Sequence, residues 1–139
     1  RRLAAEGFDV WVVGGPGEAP LAAEIAAIGG DRVRDLTGTN LRNAILALAA
    51  ADVVVSNDSG LLHVAAAIGT PSIGIFGPTS PWHWKPLNPI AAVIETATAV
   101  PCRPCHKPTC AMGHHACMRD IPAATVLDAA LRAARQVPA

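Results

Sequence analysis

The sequence predicts an α/β fold, a Rossmann-like parallel sheet with helices on both faces. Three observations support this prediction. Short apolar runs that suit buried strands alternate with helical segments through most of the 139 residues. Turns that contain glycine follow three of these runs, at residues 14–18, 57–60 and 77–80. The composition is 51% hydrophobic and 16% charged, which is typical of a globular domain and excludes a disordered chain.

Strands and helices are predicted in alternation. The strands are expected at residues 8–14, 32–36, 52–56, 72–76 and 91–95. The helices are expected at residues 21–28, 40–51, 61–68 and 123–135, with Thr39 or Asn40 capping the second. This alternation produces right-handed βαβ units and therefore parallel strands. We expect one domain over residues 1–139, with a frayed tail at 136–139.

Charge and hydropathy exclude several classes of protein. Eleven basic and eleven acidic residues leave the chain without net charge, and no basic stripe indicates a nucleic-acid partner. No apolar run approaches the roughly 18 residues that a membrane-spanning helix needs. The first residues lack the apolar region of a secretory signal.

The turn at residues 57–60 is the most informative segment. It follows a valine-rich strand and precedes an apolar helix, whose first N–H groups are free to bind a phosphate. The helix dipole favours an anion there by about 0.3 to 1 kcal/mol. Ser59 adds a hydroxyl donor, and Gly60 has no Cβ to block the phosphate. Simple capping of the helix by Asp58 or Ser59 explains the turn equally well.

Two further residues are candidates for the same site. His63 follows Ser59 by four residues and can reach the same phosphate or sugar; the alternative is a core histidine with one hydrogen bond. Glu18 follows the first glycine turn and can accept hydrogen bonds from ribose hydroxyls; the alternative is a solvated residue in the first turn of a helix.

Four cysteines lie within one short stretch, at Cys102, Cys105, Cys110 and Cys117. Such clustering is not a disulfide framework spread over a small secreted fold. We expect the stretch to be a local addition that the core does not need. A zinc site, a disulfide and a reduced, partly buried loop remain open, although the spacing is not a standard zinc spacing. Additional zinc ligands would be His106, His114 and His115.

Two tryptophans, Trp82 and Trp84, follow the third turn. Their rings can stack on an adenine or line the cleft. They can equally cover the face that a neighbouring domain would bury. Both interpretations remain open.

Several motifs together resemble the ADP-heptose:lipopolysaccharide heptosyltransferases of glycosyltransferase family 9. The most specific is SNDSGLLHVAAA at residues 56–67. The glycine pair at 14–15 followed by Glu18 also fits the family, as does FGPTSP at 76–81. The cysteine stretch through residue 121 resembles a tail of the heptosyltransferase II branch. The resemblance covers nearly the whole chain.

The resemblance implies the C-terminal, donor-binding half of a GT-B glycosyltransferase. It implies that the N-terminal acceptor domain, with its general base, is absent from this chain, as is the family's donor-binding lysine. It also implies donor contacts for five residues. The diphosphate or heptose would be bound by Asp58, Ser59, Gly60 and His63, and the ribose by Glu18.

The implied reaction, in the full-length enzyme, is inverting transfer of heptose from ADP-heptose to the lipopolysaccharide inner core. The acceptor would bind through the missing domain, and Ser59 and Gly60 would stabilise charge on the departing diphosphate. No Asp-x-Asp pair is present to hold a divalent cation, so we expect neither a metal nor a cofactor. We expect this chain alone to bind ADP weakly and to transfer nothing. The expected location is cytoplasmic, and a peripheral position at the inner membrane remains open.

Two other functions remain as alternatives. One is the dinucleotide-binding Rossmann domain of an oxidoreductase, although the glycines at residues 14, 15 and 17 do not form the G-x-G-x-x-G fingerprint. The other is a non-catalytic zinc-binding module, which would leave the three glycine turns without a purpose.

Overall fold

The computed structural model of the chain describes residues 1–135, so the predicted frayed tail lies outside the described residues. The chain divides into two compact units, Arg1–Ala50 and Ala51–Ala139. Each unit contains parallel strands and helices. The predicted α/β class is therefore confirmed, while the single donor-binding domain over the whole chain stays a prediction.

The first unit contains a two-stranded parallel sheet. Its strands are β1 (Val10–Val12) and β2 (Val33–Asp35), with Val10 opposite Val33. Its helices are α1 (Arg2–Ala5), α2 (Ala19–Gly29) and α3 (Leu41–Ala50), with 3-10 turns at Pro16–Glu18 and Gly30–Arg32. The residues buried in this unit are small or aliphatic, namely Ala22, Val33, Ala44 and Leu48.

The second unit contains a three-stranded parallel sheet in the order β3-β4-β5. The strands are β3 (Val54–Asn57), β4 (Ser72–Ile75) and β5 (Ala91–Ile94). The helices are α4 (Gly60–Ala67), α5 (Pro81–Trp84), α6 (Ala116–Arg119) and α7 (Ala123–Ala134). The first crossover, α4, contacts both of the strands that it connects, and α7 contacts the same two strands.

The core of the second unit is centred on β4. Ser72, Ile73 and Gly74 are consecutive and all buried, and neighbouring residues in a strand point to opposite faces, so both faces of β4 are covered. Leu62 and Phe76 are fully buried and close over Gly74, where an added methyl group would come within 2.9 Å of each. Burial of each such side chain contributes about 1.5 to 3 kcal/mol.

The predicted boundaries differ from the observed ones in a few places. Strand β3 extends through Asn57, which was predicted to begin the turn, because Asn57 pairs with Ile75 in the ladder. Helices α5 and α6 were not predicted, since four residues are too few to show helical periodicity. Asn40 rather than Thr39 caps α3, its Oδ1 accepting from the Asn43 amide at 2.9 Å. Among the described residues, none of the helices is both long and apolar enough to cross a membrane.

Candidate functional site

The turn after β3 lies at the carboxyl edge of the three-stranded sheet. The Asp58 amide donates to the Ile75 carbonyl over 3.2 Å, which ties the turn to the end of β4. Ser59 has extended backbone angles and is the N-cap of α4. Its Oγ accepts from the Leu62 amide at 3.4 Å and lies 3.0 Å from the Ser56 hydroxyl. Ser59, and not Asp58, therefore caps the helix.

The start of α4 is open in front of Gly60. Gly60 is exposed, and a methyl group built on its Cα would meet no atom of the described residues within 4 Å. Within residues 1–135, the backbone amides of Gly60 and Leu61 have no protein acceptor. Capping by Ser59 thus leaves two donors at the helix start for a ligand, as helix termini commonly do.

Asp58 and His63 face each other beside this opening. His63 Nε2 lies 3.7 Å from Asp58 Oδ1, and the side chains are 44% and 17% exposed, respectively. The imidazole is therefore on the surface, and the alternative of a core histidine is wrong. A partly exposed pair at this distance contributes little to stability, about 0 to 1 kcal/mol even when the histidine is protonated.

Glu18 is folded back onto the first glycine turn. Its Oε2 accepts from the Gly15 amide at 2.7 Å. A methyl group on Gly14 would overlap that same carboxylate oxygen, so glycine there makes room for the carboxylate. Glu18 is exposed and belongs to the first unit, whereas the other four predicted site residues belong to the second. The structure brings together Asp58, Ser59, Gly60 and His63.

Sequence reasoning missed Arg103, which lies within the cysteine-rich stretch. Its guanidinium donates to the carbonyls of Phe76 and Gly77 and pairs with Glu95 at 2.9 Å. Only 15% of its side chain is exposed. A single arginine between prolines and cysteines belongs to no helical or strand pattern. The sequence therefore gave no indication that it would bind the carbonyls at the third turn.

The cysteine-rich stretch packs against the turn at residues 77–80. A methyl group on Gly77 would come 2.6 Å from the Met118 Cγ and would also overlap the Met118 sulfur. Arg103 and Met118 thus attach the stretch to the end of β4, and whether the core needs it stays a prediction.

The four thiols are unpaired and half-buried. Cys102 Sγ lies 3.9 Å from His114 Nε2. No group of three or more His, Cys, Asp or Glu side chains is arranged for a metal ion in the part of the chain that the structure describes.

The pKa values of the Cys110 and Cys117 thiols are shifted in opposite directions by their surroundings. Backbone hydrogen bonds lower the pKa of the Cys110 thiol, the one from His115 contributing most, against a smaller opposing effect of burial. Burial raises the pKa of the Cys117 thiol, and the positive charge of Arg103 partly offsets that rise.

The two tryptophans of α5 are on the surface. Trp82 is 87% exposed and Trp84 is 53% exposed. Leu87, in the loop that follows, is 98% exposed.

Comparison with known proteins places the chain in a family. The profile of "Glycosyltransferase family 9 (heptosyltransferase)" matches residues 1–116. Lipopolysaccharide heptosyltransferase 2 of Salmonella typhimurium is 35% identical over 133 residues, covering 92% of this chain and 38% of that protein. Lipopolysaccharide heptosyltransferase 2 of Escherichia coli has the same identity and coverage. Lipopolysaccharide heptosyltransferase 1 of Pseudomonas aeruginosa is 32% identical over 112 residues, 78% of this chain and 30% of that protein.

A solved structure agrees with these relatives. The structure of Escherichia coli ADP-heptose lps heptosyltransferase II matches with a TM-score of 0.81 and 32% identity, covering 97% of this chain and 39% of that one. The chain thus spans about 38% of the length of the first curated relatives. Sequence and structure agree that the chain belongs to glycosyltransferase family 9, the heptosyltransferase family.

Proposed function

We propose that this chain is the donor-binding domain of a heptosyltransferase that acts on the lipopolysaccharide core, and that it binds ADP-heptose. One observation carries the proposal. Among residues 1–135, the amides of Gly60 and Leu61 at the Ser59-capped start of α4 have no protein acceptor, and open space lies in front of Gly60. The oxidoreductase and zinc-module alternatives have no comparable support.

The donor diphosphate is the part of the ligand that fits this opening. The amides of Gly60 and Leu61 would donate to its oxygens, and the positive end of the α4 dipole would favour its charge. His63 is near enough to Asp58 to exchange that partner for a phosphate oxygen when protonated. The Asp58 carboxylate, which would repel a phosphate, suits hydroxyl groups of the heptose instead.

Glu18 would bind the ribose. Its Oε2 is already held by the Gly15 amide, which fixes the carboxylate on the glycine turn. A carboxylate accepts several hydrogen bonds, so Oε1 remains for a ribose hydroxyl. The Gly15 hydrogen bond orients the group before the ligand arrives.

In the full-length enzyme we propose an inverting transfer. The acceptor hydroxyl of the lipopolysaccharide inner core attacks the anomeric carbon of the heptose, the bond to the diphosphate breaks, and ADP departs with the electron pair. A base outside this chain takes the acceptor proton. The amides at the start of α4 would stabilise the charge that develops on ADP. The chain alone would bind ADP weakly and transfer nothing, and we propose a cytoplasmic location for the enzyme.

A charge placed at residue 60 tests the site. Gly60→Asp introduces a carboxylate into open space at the first position of α4, where acidic residues favour the helix. We expect stability to be kept while ADP binding, measured by calorimetry, falls below detection. The matched control, Ala123→Asp, puts the same charge at the first position of α7 and should bind ADP like the parent chain.

Three results would count against the proposal. One is equal ADP affinity in Gly60→Asp and the parent chain. Another is tighter binding of NAD than of ADP, which would favour the oxidoreductase. The third is measurable heptose transfer by the isolated chain, which would contradict the need for a base elsewhere.

A further inference from the structure

Arg103 binds the main chain of the turn at residues 77–80. Its Nε and Nη2 donate to the Gly77 and Phe76 carbonyls, the latter over 3.1 Å, and Nη2 lies 3.5 Å from the Thr79 carbonyl. The Glu95 carboxylate accepts from Nη2 at 2.9 Å and balances the positive charge of the guanidinium. A guanidinium that is this buried and contacts four acceptors sets the geometry of the groups around it.

The Pro78 carbonyl, which Arg103 does not bind, faces the same segment. It accepts from the amides of Cys105 and His106 at 3.0 and 3.1 Å. The carbonyl oxygens of four consecutive residues, 76–79, are therefore all directed at residues 103–106. Within the cysteine-rich stretch, the segment 103–106 makes the most hydrogen bonds to the main chain of this turn.

The amides of the turn consequently point the other way. In a planar trans peptide the N–H is opposite to the C=O, so the N–H groups of Gly77, Thr79 and Ser80 point away from residues 103–106. None of the three donates to a protein acceptor within residues 1–135. The Thr79 Oγ1 also has no hydrogen-bond partner among those residues, but it is buried and therefore out of reach of a ligand.

These donors are at the same edge of the sheet as the start of α4. The Asp58 amide bonds to the Ile75 carbonyl, and the third turn begins two residues later, at Gly77. The carboxyl ends of neighbouring parallel strands are where ligands bind in α/β sheets. A diphosphate seated at Gly60 would therefore be next to the third turn.

We propose that Arg103 is a positioning residue of the donor site. By holding the carbonyls of Phe76, Gly77 and Thr79, beside the Pro78 carbonyl that Cys105 and His106 hold, it presents the amides of Thr79 and Ser80 to the diphosphate of the nucleotide sugar. This inference rests on the proposed function and adds a second turn to the site. Without Arg103, the same carbonyls are free to rotate toward the phosphate, which they would repel.

Lysine would replace Arg103 only in part. The guanidinium has five N–H donors in a planar fork, and it reaches three carbonyls and one carboxylate here. An ammonium group has three donors on a flexible stem. We expect Arg103→Met to weaken ADP binding by about tenfold or more, and Arg103→Lys to restore part of that loss. The control Arg119→Met removes an exposed arginine of α6 and should leave binding unchanged.

Amide NMR with ADP separates this inference from the proposed function. In the full chain, ADP should shift the amide resonances of Thr79 and Ser80 as well as those of Gly60 and Leu61. In Arg103→Met the Thr79 and Ser80 shifts should disappear while those of Gly60 persist. Adenosine, which lacks phosphates, should shift neither turn. A loss of structure alone would not remove one set of shifts and keep the other.

Each outcome decides something. Shifts at Gly60 and Leu61 alone would overturn the inference and leave the proposed function standing. Shifts at neither turn would overturn both. Shifts at Thr79 and Ser80 that persist unchanged in Arg103→Met would overturn the role of Arg103.

Discussion

Met118 lies directly against Gly77. A methyl group on the Gly77 Cα would come 2.6 Å from the Met118 Cγ and 3.6 Å from the Cys117 carbonyl oxygen. Helix α6 therefore packs on the turn after β4 at a point where only glycine leaves room. This contact and the Arg103 hydrogen bonds attach the cysteine-rich stretch to the sheet edge that carries the candidate site.

Gly77→Ala should destabilise the protein by about 1 to 3 kcal/mol, because the added methyl overpacks the contact with Met118. Denaturant unfolding measures the loss. Gly60→Ala is the control, since a methyl there meets no atom of residues 1–135 within 4 Å. The double variant Gly77→Ala/Met118→Ala should recover part of the stability, as the thioether is gone; losses that simply add would show that the two residues do not clash.

Ser59→Ala should lower the free energy of unfolding by about 1 kcal/mol, the usual cost of losing an N-cap, because its Oγ accepts from Leu62. ADP affinity should fall as well. Ser59→Asp separates the two roles: aspartate also caps helices, so stability should return, but its charge should still prevent ADP binding. Urea unfolding and calorimetry on the same samples give both quantities, and tight ADP binding by Ser59→Asp would refute the phosphate assignment.

Glu18→Gln should weaken ADP binding by about three- to tenfold, the worth of one hydrogen bond to a ribose hydroxyl. The amide oxygen can still accept from Gly15, so the turn should keep its shape. Binding of 2′,3′-dideoxy-ADP, which lacks both hydroxyls, should be the same in the parent chain and the variant. An equal loss for both nucleotides would mean that Glu18 supports the turn and does not contact the ribose.

Iodoacetamide should alkylate the Cys110 thiol faster than the Cys117 thiol. The lowered pKa of Cys110 gives it a larger thiolate fraction than Cys117, whose pKa is raised by burial, and the thiolate is the nucleophile. At pH 7 Cys110 should therefore be alkylated before Cys117. The difference in alkylation rate between Cys110 and Cys117 should narrow as the pH rises through both pKa values, because both thiols then ionise. Peptide mass spectrometry at each pH gives the order, and unfolded protein in urea, where the two should react alike, is the reference.

Much of the candidate site was predictable because it is local. Asp58, Ser59, Gly60 and His63 fall within six consecutive residues between a valine-rich strand and an apolar helix, so strand and helix signals alone place them at one sheet edge. The identity of the cap was not predictable, since Asp58 and Ser59 are both good caps. The extended backbone of Ser59 and its bond to Leu62 decided it.

The amino-acid sequence by itself determined the α/β alternation and the position of the turn at residues 57–60. Strand periods, helix periods and glycine turns each depend only on residues that are close together in the sequence. Only the tertiary structure decided what Arg103 and Met118 do. Arg103 is 26 residues from the Gly77 carbonyl that it binds, and a contact at that separation depends on how β4, β5 and the cysteine-rich stretch pack together. Such packing leaves no periodic signal, since it arises from the shape and hydrogen-bonding capacity of surfaces that meet only once the chain has folded.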